Sequence, residues 1–149
     1  MISPLTKNEL RTLLKREESY AIHALLFIAE HPGTHAAEIA KGLQMPPAFM
    51  AKALRKLVTA GFVESQMGRN GGVKLRVNLE EVTLLDVIEK VSGTLVIDTC
   101  QTKERCATQE RKGYCGLKLV WLSTTVQLRD LLGRVVLAQL LNSADTAKA

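Results

Sequence analysis

Residues 34–77 constrain the fold more than any other part of the chain, because two short helical patterns separated by a tight turn run directly into a glycine-rich hairpin. Thr34 is placed to cap the first helix, which carries Ala36, Ala37, Ile39, Ala40 and Leu43 and has Gly42 near its end. Pro46 and Pro47 open the second, since a proline in the first helical turn loses no intrahelical hydrogen bond. That helix continues as AFMAKALRKLVTA, with Phe49 or Met50, Ala53, Leu54 and Leu57 facing inward, and stops at Gly61. The four residues Leu43 to Pro46 between them give the spacing of a helix-turn-helix. Two alternating segments follow, Phe62–Met67 and Val73–Val77, joined by Gly68-Arg69-Asn70-Gly71-Gly72. Asn-Gly-Gly supplies the positive φ angles that a tight hairpin needs and lifts Arg69 to its tip.

The charge follows this plan. The chain carries a formal net charge of +5, and residues 41–76 hold Lys41, Lys52, Arg55, Lys56, Arg69, Lys74 and Arg76 against the single carboxylate of Glu64. Lys52, Arg55 and Lys56 share the outward face of the second helix, where a major groove would lie, and Arg69 is set to enter the adjacent minor groove. The expected DNA contacts are therefore Pro47, Ala48, Phe49, Lys52, Arg55 and Lys56 on the helix with Arg69 and Asn70 on the wing. A basic helix alone is often only a solvated face, and a hairpin alone only a turn; side by side they favour double-stranded DNA. RNA is disfavoured because the stacking aromatics of an RNA-binding sheet are missing, aromatics being 4% of residues. An enzyme is the weakest option on motif grounds: there is no Ser-His-Asp set, no metal-ligating His pair at helical spacing, no phosphate-cradling Gly loop ahead of a helix and no acidic pair in a cleft-forming context.

All three cysteines fall within CQTKERCATQERKGYC, Cys100 to Cys115, among polar residues. Five residues separate Cys100 from Cys106 and eight separate Cys106 from Cys115, neither of which is the short gap of a structural zinc knuckle. An odd number of thiols leaves one unpaired in any intramolecular disulfide scheme. The N-terminus does not have the pattern of a signal sequence, and no apolar run approaches the roughly 18 residues of a membrane span, so a cytoplasmic protein without membrane contact is expected. Three soft thiolates suit zinc, an iron-sulfur cluster or thiol exchange. A cluster would need a fourth ligand from elsewhere, and three free surface thiols are the bland alternative.

The remaining segments set the boundaries. Residues 1–12 form an extension without an assigned role. A first helix begins near Leu13, with Leu13, Leu14, Tyr20, Ala21, Ala24, Leu25 and Ile28 on its stripe, and ends at His31-Pro32-Gly33. The 13–81 unit is thus a winged helix-turn-helix domain. Residues 82–116 hold a short helix, opened by the Thr83-Leu-Leu-Asp86 capping box, and the cysteine loop. Residues 117–149 form a long helix and tail, with a narrow apolar stripe of Leu117, Trp121, Thr124, Leu128, Leu131 or Leu132, Val135 and Gln139 that fits a dimerisation helix. The fold class is mainly α with a small β-hairpin wing.

The SYAIHALLFIA helix, the AAEIAKGLQMPPAFMAKALRKLVTAGFV segment, the GRNGG wing, the LLDVIEKVSG helix, the three cysteines and Trp121 together resemble the Rrf-type winged-helix transcription regulators, the family of the IscR-like and NsrR-like iron-sulfur sensors. The likeness covers about residues 13–141. It implies a homodimer on a partly palindromic promoter site, acting as a repressor, with a 2Fe-2S or 4Fe-4S cluster on Cys100, Cys106 and Cys115 that alters DNA affinity when lost, oxidised or nitrosylated. The alternative is a winged-helix regulator with zinc-binding or thiol-redox cysteines and no cluster. The fourth ligand departs from the family pattern. Where IscR-like members have a His three residues after the last Cys, this chain has Lys118, and where NsrR-like members have a carboxylate on the first helix of the other subunit it has Ser19. By the resemblance, His23 is the first replacement and Glu18 the second, supplied by this chain or by the partner subunit. Glu17 stands where many members have a cation, which implies a lost phosphate contact.

Overall fold

In the computed structural model, which describes residues 6–66 and 71–141, the architecture grows from a helix that is buried along one side. Helix α1 (Arg16–Glu30) places Glu18, Ala21, Ala24, Leu25 and Ile28 inward at three- and four-residue intervals, and α3 and α4 pack against it. It starts later than Leu13. The Glu18 carboxylate accepts a hydrogen bond from the Lys15 backbone N–H at 2.9 Å, which ends the helix there, and Leu13 and Leu14 stay exposed ahead of it instead of joining the core.

Helices α2 (Ala36–Gly42) and α3 (Pro47–Thr59) are joined by Leu43–Pro46, with Gln44 in the left-handed region at φ 53°. Thr34 does not cap α2. His35 occupies the N-cap position without a side-chain hydrogen bond, because the Thr34 carbonyl accepts from the Val73 N–H at 2.7 Å and forms a bridge to the hairpin. On α3, Met50 rather than Phe49 faces the core, together with Ala53, Leu54 and Leu57. Strands β1 (Val63–Gln66) and β2 (Gly72–Leu75) pair antiparallel from Val63 opposite Leu75 to Gln66 opposite Gly72. Gly72 has to lack a side chain, since a Cβ there would collide with the Gly33 carbonyl.

Helix α4 (Leu84–Ser92) begins at the expected capping box: Thr83 Oγ1 accepts from the Asp86 N–H at 3.1 Å, and Asp86 Oδ2 accepts from the Thr83 N–H at 3.0 Å. Gly93, at φ 94°, ends it. The cysteine stretch is more ordered than a plain loop. It contains a 3-10 turn (Thr99–Thr102) and a short helix α5 (Ala107–Lys112), which fills the long gap between Cys106 and Cys115 and is closed by Gly113 in the left-handed conformation.

The last helix is interrupted. Helix α6 (Gly116–Arg134) stops where Val135 becomes extended, and α7 (Leu137–Leu141) follows. Val136 bridges Thr83, the Leu84 N–H donates to the Val135 carbonyl at 3.0 Å, and the Leu137 N–H donates to the Val82 carbonyl at 2.8 Å. These bonds draw Leu137 into the main core, where it is fully buried beside residues of α1. The stripe divides accordingly. Trp121, Leu128 and Leu132 are partly covered by the chain's own domain, whereas Leu117, Leu119, Val120, Leu122, Val126 and Leu131 are exposed. Among the described residues no helix is long and apolar enough to cross a membrane.

Candidate DNA face and cysteine loop

Pro47, Ala48 and Phe49 lie exposed in the first turn of α3, and Lys52, Arg55 and Lys56 continue along it. Phe49 is only partly free: its ring meets Tyr20 edge-on at 6.4 Å and lies under the Arg16 guanidinium at 5.0 Å. Arg16 thereby joins the face, and the sequence offered no periodic signal for it. Arg69 and Asn70 lie outside the described residues. The strands that carry the wing are held by charge, Lys74 pairing with Glu64 at 3.1 Å and Arg76 approaching the same carboxylate at 3.8 Å.

Two of the three cations on α3 are already engaged. Glu17 of α1 accepts from Lys52 at 2.7 Å and from Lys56 at 2.6 Å. These two ammonium groups, Lys52 first, hold the Glu17 carboxyl down at about 2. The acidic residue thus occupies two of the three α3 cations expected to contact DNA.

The three thiols are partly buried and unpaired with one another as disulfides. Backbone N–H groups of Gln109 and Thr108, at the start of α5, pull the Cys106 thiol below its ordinary range, and a hydrogen bond with Cys115 adds to this. Cys100 moves the other way, raised by its partial burial, then by the Asp98 carboxylate beside it and by the other two sulfurs. Three neighbouring thiols in one segment, one of them biased toward thiolate, match the donors that a zinc ion or iron-sulfur cluster takes. No three or more His, Cys, Asp or Glu side chains among the described residues already converge at metal-ligand spacing, so binding would require the sulfurs to draw together. Of the fourth-ligand candidates, Glu18 is buried with its carboxylate on the Lys15 N–H, whereas His23 is exposed on α1. Lys118 donates to the Lys103 carbonyl at 3.3 Å and so braces the stretch instead.

The loop is tied to the rest of the fold by two polar joints that the sequence reading missed, since neither has a local motif. Gln101 and Thr125, both buried, share a hydrogen bond at 3.1 Å, and the Ile97 N–H reaches both. One helical turn further along α6, Arg129 pairs with Glu89 of α4, which also accepts from the Leu95 N–H at 2.7 Å.

Comparison with known proteins places this arrangement. A family model described as Rrf2, iron-dependent transcriptional regulator, matches residues 14–143. Among curated proteins, the chain is 33% identical to protein aau3 of Rhizobium meliloti over 89 residues, a little over half the length of that relative (58%) and 58% of this chain. It is 26% identical to the HTH-type transcriptional regulator NsrR of Bacillus subtilis over 131 residues, 85% of this chain and 88% of that one. Two solved structures share the fold: T. potens IscR (TM-score 0.73, 21% identity, 97% of this chain and 95% of that one) and CymR, the global cysteine regulator of B. subtilis (TM-score 0.67, 18% identity, 89% and 98%). With the family match running from the start of α1 to the end of α7, the chain belongs to the Rrf2 family of transcriptional regulators.

Proposed function

We propose that this regulator is a homodimeric repressor that binds a two-half-site promoter and whose affinity is set by an iron-sulfur cluster, 2Fe-2S or 4Fe-4S, held by Cys100, Cys106 and Cys115. Helix α3 would enter the major groove and the wing, with Arg69 and Asn70, the minor groove. The exposed apolar residues of α6, Leu119, Leu122 and Val126 among them, are the surface on which a second copy would pack. His23, exposed on α1, is the better placed fourth ligand to be offered across that dimer, because Glu18 is committed to its cap. When bound, a cluster supplies an iron centre that responds to oxidants, nitric oxide and iron supply. The protein's part is mechanical: Gln101 and Thr125 fasten the first cysteine's segment to α6, and Glu89 with Arg129 fastens α6 to α4, which packs on both α1 and α3. A shift in the loop is thereby passed to the DNA head, and a coupling of only ~1.4 kcal/mol changes affinity tenfold.

The observation that carries this reading is the trio of partly buried thiols on a segment bonded into the fold by a buried polar joint. The test is the visible spectrum and the iron and sulfide content of protein purified without oxygen, followed by promoter binding with and without the bound metal. A brown protein whose binding changes on cluster loss is expected; a protein that stays colourless after anaerobic reconstitution overturns it. A second reading, thiol-redox control without a cluster, is favoured by the contact between Cys106 and Cys115, and would show as a reversible disulfide between those two residues that alters DNA affinity. A zinc protein would be colourless with stoichiometric zinc.

A further inference from the structure

The last two turns of α3 and the end of α4 face a common open concavity of about 430 Å³, lined by Lys52, Arg55, Lys56, Thr59, Lys90 and Val91. Four cations meet there against the single carboxylate of Glu17, which is shared between Lys52 and Lys56. Lys56 is held at the junction itself, since its ammonium also lies 3.5 Å from the Val91 carbonyl. The side chains of Arg55 and Lys90 have neither a hydrogen-bond nor an ion-pair partner among the described residues. The Thr59 hydroxyl donates back to the Arg55 carbonyl at 3.0 Å, so the cations alone define the chemistry. Attraction to helix C-termini accounts for Lys56 and Lys90, each in the last turn of its helix, but not for Arg55.

Glu17 offsets one of these four charges; the excess cations repel one another, and packing of α3 and α4 on the same core keeps them together. A multidentate anion relieves that repulsion. The hollow is open on its outer side and continuous with the groove-facing side of α3, which suits a phosphate carried on a polymer better than a small anion that has to be enclosed. We propose that Arg55, Lys56 and Lys90 form a seat for one backbone phosphate of the bound duplex, with Lys90 a DNA contact contributed from outside the helix-turn-helix. This rests on the DNA-binding reading above. Because Lys90 follows Glu89, the residue fastened to Leu95 and Arg129, the seat closes or opens with the position of α4.

The test compares the full-length protein with Lys90→Ala and Lys90→Arg, measuring binding to a promoter duplex and a scrambled duplex over a salt series. Lys90 is exposed in a terminal turn, so helicity by circular dichroism should be unchanged. Lys90→Ala is expected to weaken both duplexes alike, about tenfold near 0.1 M salt, and to lower the salt slope by about one unit, with Lys90→Arg retaining both. Unchanged affinity and slope in Lys90→Ala overturns the seat, as does a loss confined to the promoter sequence. A wild-type protein with no salt-dependent binding to either duplex sinks the DNA reading itself, a separate outcome. Competition by inorganic phosphate, at constant ionic strength and beyond that of chloride, would assign the hollow to a free anion and overturn the backbone assignment.

Discussion

The Glu17 carboxylate lies 2.6 Å from the Lys56 ammonium, and its other oxygen lies 2.7 Å from Lys52. One residue of α1 thus engages two of the three cations on the exposed side of α3. Glu17→Gln is expected to raise DNA affinity and to steepen the salt slope by about one to two units, as two released cations take up phosphate contacts. Fluorescence anisotropy over a salt series reads this out, and a slope equal to wild type would mean that neither lysine meets the backbone. The folded carboxyl titrates at about 2, below its ordinary 4.5. Its ion pairs are therefore complete above about 4.5 and lost only as pH falls through about 2, so the wild-type to variant affinity ratio should be flat across neutral pH.

Glu89 joins α4 to α6. Burial pushes its carboxyl up, but the Arg129 guanidinium and the Leu95 N–H outweigh this and leave it below the ordinary value of 4.5. A depressed carboxyl contributes stability above its unfolded pKa and loses it as pH falls through the folded one. Glu89→Gln should cost about 1–2 kcal/mol in chemical denaturation at neutral pH, with the difference shrinking below about pH 4.5 as the wild-type group protonates. Equal stability at neutral pH would remove Glu89 and Arg129 as the joint between loop and head.

Gly72 and Gly42 should respond differently to alanine. At Gly72 the new Cβ meets the Gly33 and Thr34 backbone, which has no room to yield. The Thr34–Val73 bridge would open, at a cost of about 2–3 kcal/mol and with loss of wing-dependent DNA affinity. At Gly42 it meets the outer edge of the Phe27 ring at 2.6 Å, a side chain that can turn aside, and the gain in helix propensity offsets part of the strain. Thermal melts of the two variants decide it; a smaller loss at Gly72 than at Gly42 contradicts the contact.

Val126 and Leu119 are 66% and 68% exposed on α6. If this face joins two copies, Val126→Glu with Leu119→Glu should convert a dimer to a monomer by light scattering and weaken binding to a two-half-site duplex far more than to a half-site. A double variant that remains dimeric assigns the interface elsewhere.

Much of the DNA head was legible in the order of residues because its cues are local. Two prolines, a four-residue turn and a Gly-rich tip announce helix, turn and hairpin without reference to anything distant. Thr83 and Asp86 announce a helix start in the same way. The clustering of Cys100, Cys106 and Cys115 in one polar stretch was equally plain. Helix periodicity alone misplaced other residues. Leu13 and Leu14 continue the stripe of α1 but precede the cap made by Glu18, and the stripe of the last helix ran on past Val135, where the backbone turns away to bridge Thr83.

What the sequence by itself determined is therefore the set of local elements and the chemistry of their side chains: a basic helix, a wing and three polar-flanked thiols. Tertiary structure alone decided which charges are spent and which are free. Glu17 meets Lys56 across 39 positions and Glu89 meets Arg129 across 40, and Leu137 reaches the core only because Val82 and Leu79 accept its turn of backbone. Local propensity acts over a few residues and repeats with the helix period. Pairings at such separations depend on the packing of α1 on α3 and of α4 on α6, whose geometry is fixed by the whole core at once.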